Sequence, residues 1–85
     1  MPETKVGHVK EYFAKVGVAG IVITEGHLSV GDTIHIKGHT TDLTQSVESI
    51  QLEHTPLQRA EPGQLVGIKV RERVRPHDQV FRVTE

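Results

Sequence analysis

Apolar side chains recur at every second position of this chain, and no window of ten or more residues shows the three-and-four spacing of a helix. Thr33-Ile34-His35-Ile36-Lys37 puts Ile34 and Ile36 on one face and polar groups on the other; Val66, Ile68 and Val70 repeat the pattern after Pro62-Gly63. Successive strand residues point to opposite faces, so this period commits both segments to half-buried β-structure. Val18-Ala19-Gly20-Ile21-Val22-Ile23 is β-branched and bounded by Gly17 and Gly26, and Val6 to Phe13 reads as an earlier strand with Val9 and Phe13 facing the core. Between Leu43 and Glu53 the phase breaks, since Val47 has odd parity and Ile50 and Leu52 have even parity. A β-bulge near Glu48-Ser49 adds one residue and returns all three inward.

Turn signals fall between these runs: Glu25-Gly26, Val30-Gly31-Asp32, Gly38 to Asp42, Pro62-Gly63 and Pro76-His77-Asp78. Glu53 to Gln64, with two prolines, reads as a long connection. Five to seven short strands with spaced turns predict an all-β barrel or sandwich, in which closure removes exposed edges. The 85 residues suffice for a single domain, residues 1–85, with its core from about Val6 to Val83.

Composition narrows the function classes. Without cysteine there is no disulfide framework and no cysteine-ligated metal site. Ten basic and eleven acidic residues give a net charge of −1, which excludes strong global attraction to nucleic acid and leaves room for a local basic patch. The N-terminal Met1-Pro2-Glu3-Thr4-Lys5 is not a signal peptide. The longest near-apolar run, Val16 to Ile23, is far shorter than the ~20 residues of a membrane helix. Cytoplasmic residence without a membrane partner is the expectation.

Motifs for chemistry fail on inspection. Gly26 to Thr33 has the glycine spacing of a phosphate loop, but Asp32 stands where lysine is needed and Thr33 opens a strand, so no nucleotide is expected. Ser29, Ser46 and Ser49 lack a nucleophile elbow, and the chain is expected not to be an enzyme and to need no cofactor. His35 and His39 are the metal candidates, but four-residue spacing aims imidazoles together on a helix, whereas this segment is a strand entering a turn.

The most informative run is Lys69-Val70-Arg71-Glu72-Arg73-Val74-Arg75. Extended, it sets Lys69, Arg71, Arg73 and Arg75 on one face at ~6.6 Å intervals, a spacing suited to successive phosphates. Glu72 falls on the valine face, which argues that the strand twists or ends there. The alternative is a solvated outer face whose cations discourage edge pairing. With only Tyr12, Phe13 and Phe81 as aromatics, any RNA contact reads backbone and shape.

In sequence order these pieces resemble the second domain of translational GTPases such as elongation factor Tu. Val18 to Gly38 resembles that domain's pattern of glycine, hydrophobic pair and "G-x-L-x-x-G-D-x-I"; Val47-Glu48-Ser49-Ile50 resembles its bulged strand. Ala60 to Ile68 resembles its "A-x-x-G-x-x-V-G-I" segment, and Arg75 to Val80 its closing turn, with His77 in place of glycine. The resemblance implies a closed six- to seven-stranded antiparallel Greek-key barrel of the translation-protein type. The chain is also similar to small stand-alone elongation-factor-like proteins and to the barrel appended to collagenase-like peptidases. These 85 residues carry neither the phosphate loop nor the guanine-recognition motif of the GTPase domain, so GTP hydrolysis is not expected of them. By resemblance, contact with the aminoacyl end of transfer RNA falls to Lys15-Val16-Gly17-Val18 and Gly63-Gln64-Leu65.

The expected function is a non-enzymatic RNA- or ribosome-associated module, contacting tRNA or rRNA through Lys15, Lys69, Arg71, Arg73 and Arg75. The alternative is a protein–protein adaptor or accessory subunit docking on a peptidase, a GTPase or itself, marked by an exposed apolar patch around Tyr12, Leu57 and Leu65. A histidine-based metal carrier ranks third.

Overall fold

The computed structural model describes residues 2–84. Ten strands follow one another: β1 (Glu3–Phe13), β2 (Val18–Ile23), β3 (Leu28–Ser29), β4 (Thr33–Lys37), β5 (Asp42–Ser46), β6 (Ile50–Leu52), β7 (Thr55–Leu57), β8 (Arg59–Ala60), β9 (Leu65–Lys69) and β10 (Gln79–Val83). Eight form one antiparallel sheet in the order β5-β4-β10-β1-β2-β9-β6-β7, and β3 pairs with β8 in a second, two-stranded sheet. The period-two reading holds at the residues that carried it. Ile34, Ile36, Val66 and Ile68 are buried, with Val70 beyond the end of β9 almost so. They meet Val6, Val9, Ile21, Ile23, Leu28 and Ala60 in one core.

The expected closed barrel is not what forms. The large sheet is open, with β5 and β7 at its edges and no ladder between them. The cause lies in the run 43–53, expected to be a single bulged strand. It divides into β5, on β4, and β6, on β9 and β7, with a corner at residues 47–49. At that corner the Val47 N–H donates to the Asp32 carbonyl at 2.8 Å, and the Val47 carbonyl accepts from the Gly31 N–H at 2.9 Å. The turn between β3 and β4 thus occupies the backbone groups that a continuing ladder would need. Val47 and Ile50 are nonetheless buried, so the corner achieves the inward phase that the bulge was expected to restore.

One side chain spans the seam instead. Gln45 of β5 is buried; its Nε2 donates to the Lys69 carbonyl and its Oε1 accepts from the Arg71 N–H, both at 2.8 Å. Two backbone groups just past the β9 ladder are satisfied this way, which is what a buried amide requires in return.

Two further corrections concern register. The pairing of β1 with β2 shifts between Val9 and Glu11, leaving Lys10 as an extra residue. Every side chain after the bulge changes face, so Tyr12 packs against the core and Phe13, expected inside, is exposed. The supposed connection 53–64 holds β7 and β8. Pro56 sits in the edge strand β7, where a missing N–H is tolerated.

Candidate functional site

The outward positions of β2 and β9 are small or apolar except for Lys69 at the end of β9. Val18 and Gly20 of β2 lie on the same face as Leu65 and Gly67 of β9, and Gly20 is directly opposite Gly67 in the ladder. Glu11 of β1 pairs with Gly20 on one side, and Gln51 of β6 pairs with Gly67 on the other. The result is a four-strand row whose two central members have no side chain. Three ladder spacings of about 4.8 Å set the flanking strands about 14 Å apart. Little room is spare at the floor itself. A β-carbon on Gly20 would lie 3.1 Å from Glu11 Cγ, and one on Gly67 3.2 Å from Val18 Cγ1.

Around this floor stands an open groove of about 630 Å³. Its apolar lining is the three large hydrophobic residues that remain exposed among those described, Phe13 (47%) and Val16 (62%) where β1 turns into β2, and Leu65 (41%) on β9. The β6–β7 hairpin, next to β9, forms one side. Leu52 pairs with Thr55, so Glu53-His54 is a two-residue loop, and both residues have positive φ, 50° and 67°. That is the conformation of a type I′ turn, for which Asn-Gly is the usual choice. Here two larger side chains hold the left-handed conformation, and both line the groove. Glu11, Lys15 and Glu53 give the rim two negative groups and one positive one.

The sequence-predicted residues are distributed unevenly around this site. Lys15 lies on the groove's rim. Lys69 ends β9 on the same outer face, opposite Val18. The remaining cations do not form the extended stripe expected of them. Residues 70–75 follow β9 outside any ladder: the Val70 N–H donates to the Gly17 carbonyl, the Arg71 N–H to Gln45 Oε1 and the Arg75 N–H to Asp78 Oδ2, while Val70 and Val74 are buried. Arg71, Arg73 and Arg75 are exposed along this irregular segment, and Arg75 Nε donates to Thr40 Oγ1 at 3.0 Å. Of the anticipated apolar patch, Leu65 is part of the groove, while Tyr12 and Leu57 pack against the core. Asp32, the residue that broke the phosphate-loop pattern, accepts the Ser29 N–H at 2.8 Å and so fixes the turn before β4.

The histidine candidates have other employment. His35 lies on the outer face of β4 between two carboxylates. Its Nδ1 is 2.9 Å from Glu3 Oε2 and its Nε2 is 2.6 Å from Asp42 Oδ1. Ionised carboxylates only accept, so both contacts are satisfied at once by the imidazolium, which has no lone pair for a metal. The Asp42 hydrogen bond raises the His35 pKa above 6.5; partial burial opposes the rise and Glu3 adds to it. His39 and His77 line a separate depression beside Gly38 and Phe81. Among the described residues, no three His, Asp or Glu side chains are grouped to hold a metal ion, and no helix is long and apolar enough to cross a membrane.

Sequence reasoning missed the groove because its wall and floor depend on two register events, the bulge at Lys10 and the corner at 47–49. The sequence reading names Lys15, Val16, Val18 and Leu65, but not the surface that they share.

Residues 17–75 match the family described as elongation factor Tu domain 2. Over 81 residues the chain is 42% identical to a collagenase of Porphyromonas gingivalis, and over 82 residues it is 37% identical to an uncharacterized protease of Methanocaldococcus jannaschii. These alignments take in 94% and 95% of this chain but 22% and 20% of those proteins, so the chain spans about a fifth of the curated relatives it matches. Among solved structures, the C-terminal domain of a putative U32 peptidase from Geobacillus thermoleovorans superposes with a TM-score of 0.86 at 27% identity, covering 93% of this chain and 91% of that one. The selenomethionine variant of the same domain gives 0.83 at 28% identity, over 89% and 95% of the two chains.

Proposed function

The chain belongs to the elongation factor Tu domain 2 family, and on that premise we propose that it serves as a non-catalytic accessory domain of a peptidase, with the outer groove as its contact surface for polypeptide. The observation that carries this reading is the groove. Three large hydrophobic side chains stay in water around a glycine floor, where a freely solvated sheet face would carry polar groups. Likeness to one-fifth of a collagenase and of a protease supports the setting, since an accessory module is a fraction of the protein it serves. Absence of catalysis is part of the proposal. His35, the histidine most firmly fixed by side-chain contacts, is held by two carboxylates and not by a hydroxyl nucleophile.

A domain exchange tests it. The matching fifth of the Methanocaldococcus jannaschii protease is deleted, or replaced by this chain, and peptide hydrolysis is followed. Deletion should raise KM more than it lowers kcat, and the replacement should recover KM, as expected when uniform binding is removed and restored. Hydrolysis by the 85-residue chain alone, or a replacement no better than the deletion, rejects the reading.

A second reading, contact with tRNA or rRNA through Lys15, Lys69, Arg71, Arg73 and Arg75, has in its favour that all five are exposed. Its signature is binding that weakens steeply with salt and is abolished when Arg71, Arg73 and Arg75 become alanine. Titration of transfer RNA with no binding at low salt removes it.

A further inference from the structure

Glu53 and His54 are the starting point, because the fold holds them at a disadvantage. A two-residue hairpin loop with both φ values positive suits Asn-Gly, and any residue with a β-carbon is strained there. Strain of this kind concentrates where the side chains have a task. These two side chains line the same groove as Phe13, Val16 and Leu65.

We propose that the groove binds a short extended polypeptide segment carrying a bulky apolar side chain beside a basic one, the apolar group seated among the exposed Phe13, Val16 and Leu65 side chains and the basic group held by Glu11 and Glu53. The proposal rests on the accessory-domain reading and names the occupant of its contact surface. Size argues against a second copy of this chain. A stable dimer needs about 800 Å² and some 20–30 residues from each partner, whereas three exposed hydrophobic side chains make up this patch. Charge also selects among chemistries. Among the residues that line the groove, Glu11 and Glu53 stand against the single Lys15, with Lys69 farther along the same outer face, and this acidic excess favours a basic group next to the apolar one. The width of about 14 Å between β1 and β6 accommodates an extended chain lying along β2 and β9. Modest affinity is enough for such a site when the module is joined to a larger protein, because tethering supplies a high effective concentration.

The test uses the intact 85-residue chain and three fluorescein-labelled heptapeptides, followed by anisotropy at low salt and a pH of about 8, where free imidazole is neutral. The probes are Gly-Lys-Leu-Phe-Lys-Gly-Gly, its analogue with both lysines replaced by glutamate, and its analogue with Leu-Phe replaced by Ser-Ser. The first should bind saturably, and each analogue should bind at least about tenfold more weakly. Leu65→Ser should weaken the first probe by about tenfold with the thermal melt little changed, since Leu65 is already partly in water. Replacing Glu53 by Asn together with His54 by Gly keeps the hairpin, should raise the melting temperature, and should weaken the first probe by at least threefold. Equal binding of the glutamate analogue, no effect of Leu65→Ser on a folded protein, or concentration-dependent dimerisation by sedimentation would overturn the proposal. Failure here with a successful domain exchange would mean that the groove docks on the peptidase body and that the peptide-segment proposal is wrong. Peptide binding with a failed exchange would leave the groove's chemistry standing and remove the accessory-domain reading.

Discussion

In the half of the sheet formed by β5, β4 and β10, the outward positions hold Asp42, Thr44, Ser46, Thr33, His35, Lys37 and Gln79, with Phe81 beside the His35 ring. In the half formed by β2, β9 and β6, the corresponding positions hold Val18, Gly20, Val22, Leu65, Gly67 and Gln51, with Lys69 as the one charged group. Both halves present a largely aliphatic, buried inner face, to which the first adds the Gln45 amide and the partly buried Arg82. The halves therefore differ most where burial does not decide the residue. A polar outer face with a hydrogen-bonded histidine is what a sheet needs to stand in water; an apolar one with a glycine floor is what it needs to meet something else.

If the inner face is shared, core truncations must cost alike in both halves. Ile21 of β2 and Ile36 of β4 are both fully buried. Ile21→Ala and Ile36→Ala should each destabilise by about 2–5 kcal/mol in urea titrations, with unchanged m-values. A cost for one far below that range would mean that its half is packed loosely, and the comparison would need another basis. The halves are joined by Gln45, whose loss leaves the Lys69 carbonyl and the Arg71 N–H without their partner. Gln45→Ala should cost about 2 kcal/mol, and Gln45→Glu, which keeps the acceptor for Arg71 and loses the donor for Lys69, should cost a similar amount. No destabilisation by either would show that water replaces the seam contact.

How far these halves were legible beforehand follows from where the chain keeps its phase. Ile34 and Ile36, or Val66 and Ile68, alternate within one strand paired without slippage, so parity alone places them correctly. Phe13 shares parity with Val9 and was placed inside for that reason; one extra residue at Lys10 moves it to the groove, and nothing in the local sequence marks a bulge there. The open sheet was equally hidden. The run 43–53 contains the residues of both β5 and β6, but its change of partner is caused by Gly31 and Asp32, which lie far away in sequence. The cationic run leaves the sheet although Val70 and Val74 are spaced as a strand allows, because its N–H groups at Val70, Arg71 and Arg75 are taken by Gly17, Gln45 and Asp78, residues that the run itself does not reveal. Glycine substitution at position 77 was the more readable anomaly: the resemblance placed a glycine there, and His77 does hold φ 76°.

That left-handed histidine belongs to the polar half, whereas Glu53 and His54 belong to the apolar one, which offers a sharper contrast. His77→Gly should stabilise by about 1 kcal/mol by relieving the β-carbon clash, the gain being trimmed by the unfolded-state freedom of glycine. The Asn-Gly replacement at 53–54 should give a comparable gain. The distinction lies in function, since only the replacement at 53–54 should change peptide affinity. Loss of affinity from His77→Gly would tie the two faces together and undo the contrast.

The smallest expected effect separates the halves by pH. His35 is held as an imidazolium by Asp42 and Glu3, and its pKa in the folded protein lies above 6.5, its ordinary value. A group whose pKa is raised on folding adds stability in full below its unfolded pKa, and that stability disappears as pH climbs through the folded value. Wild type should therefore exceed His35→Gln at pH about 6 by no more than roughly 1 kcal/mol, the scale of partly exposed ion pairs, and the difference should fade towards pH about 9. Proton NMR should find His35 titrating above 6.5; a lower value, or a difference between the two proteins that does not change with pH, would dismiss the imidazolium clamp. Because His35 lies on the polar half, the same substitution should leave heptapeptide affinity unchanged at any fixed pH. A change there would require the charge on His35 to reach the groove through β10 and β1, a coupling that the rigid ladder between them gives no reason to expect.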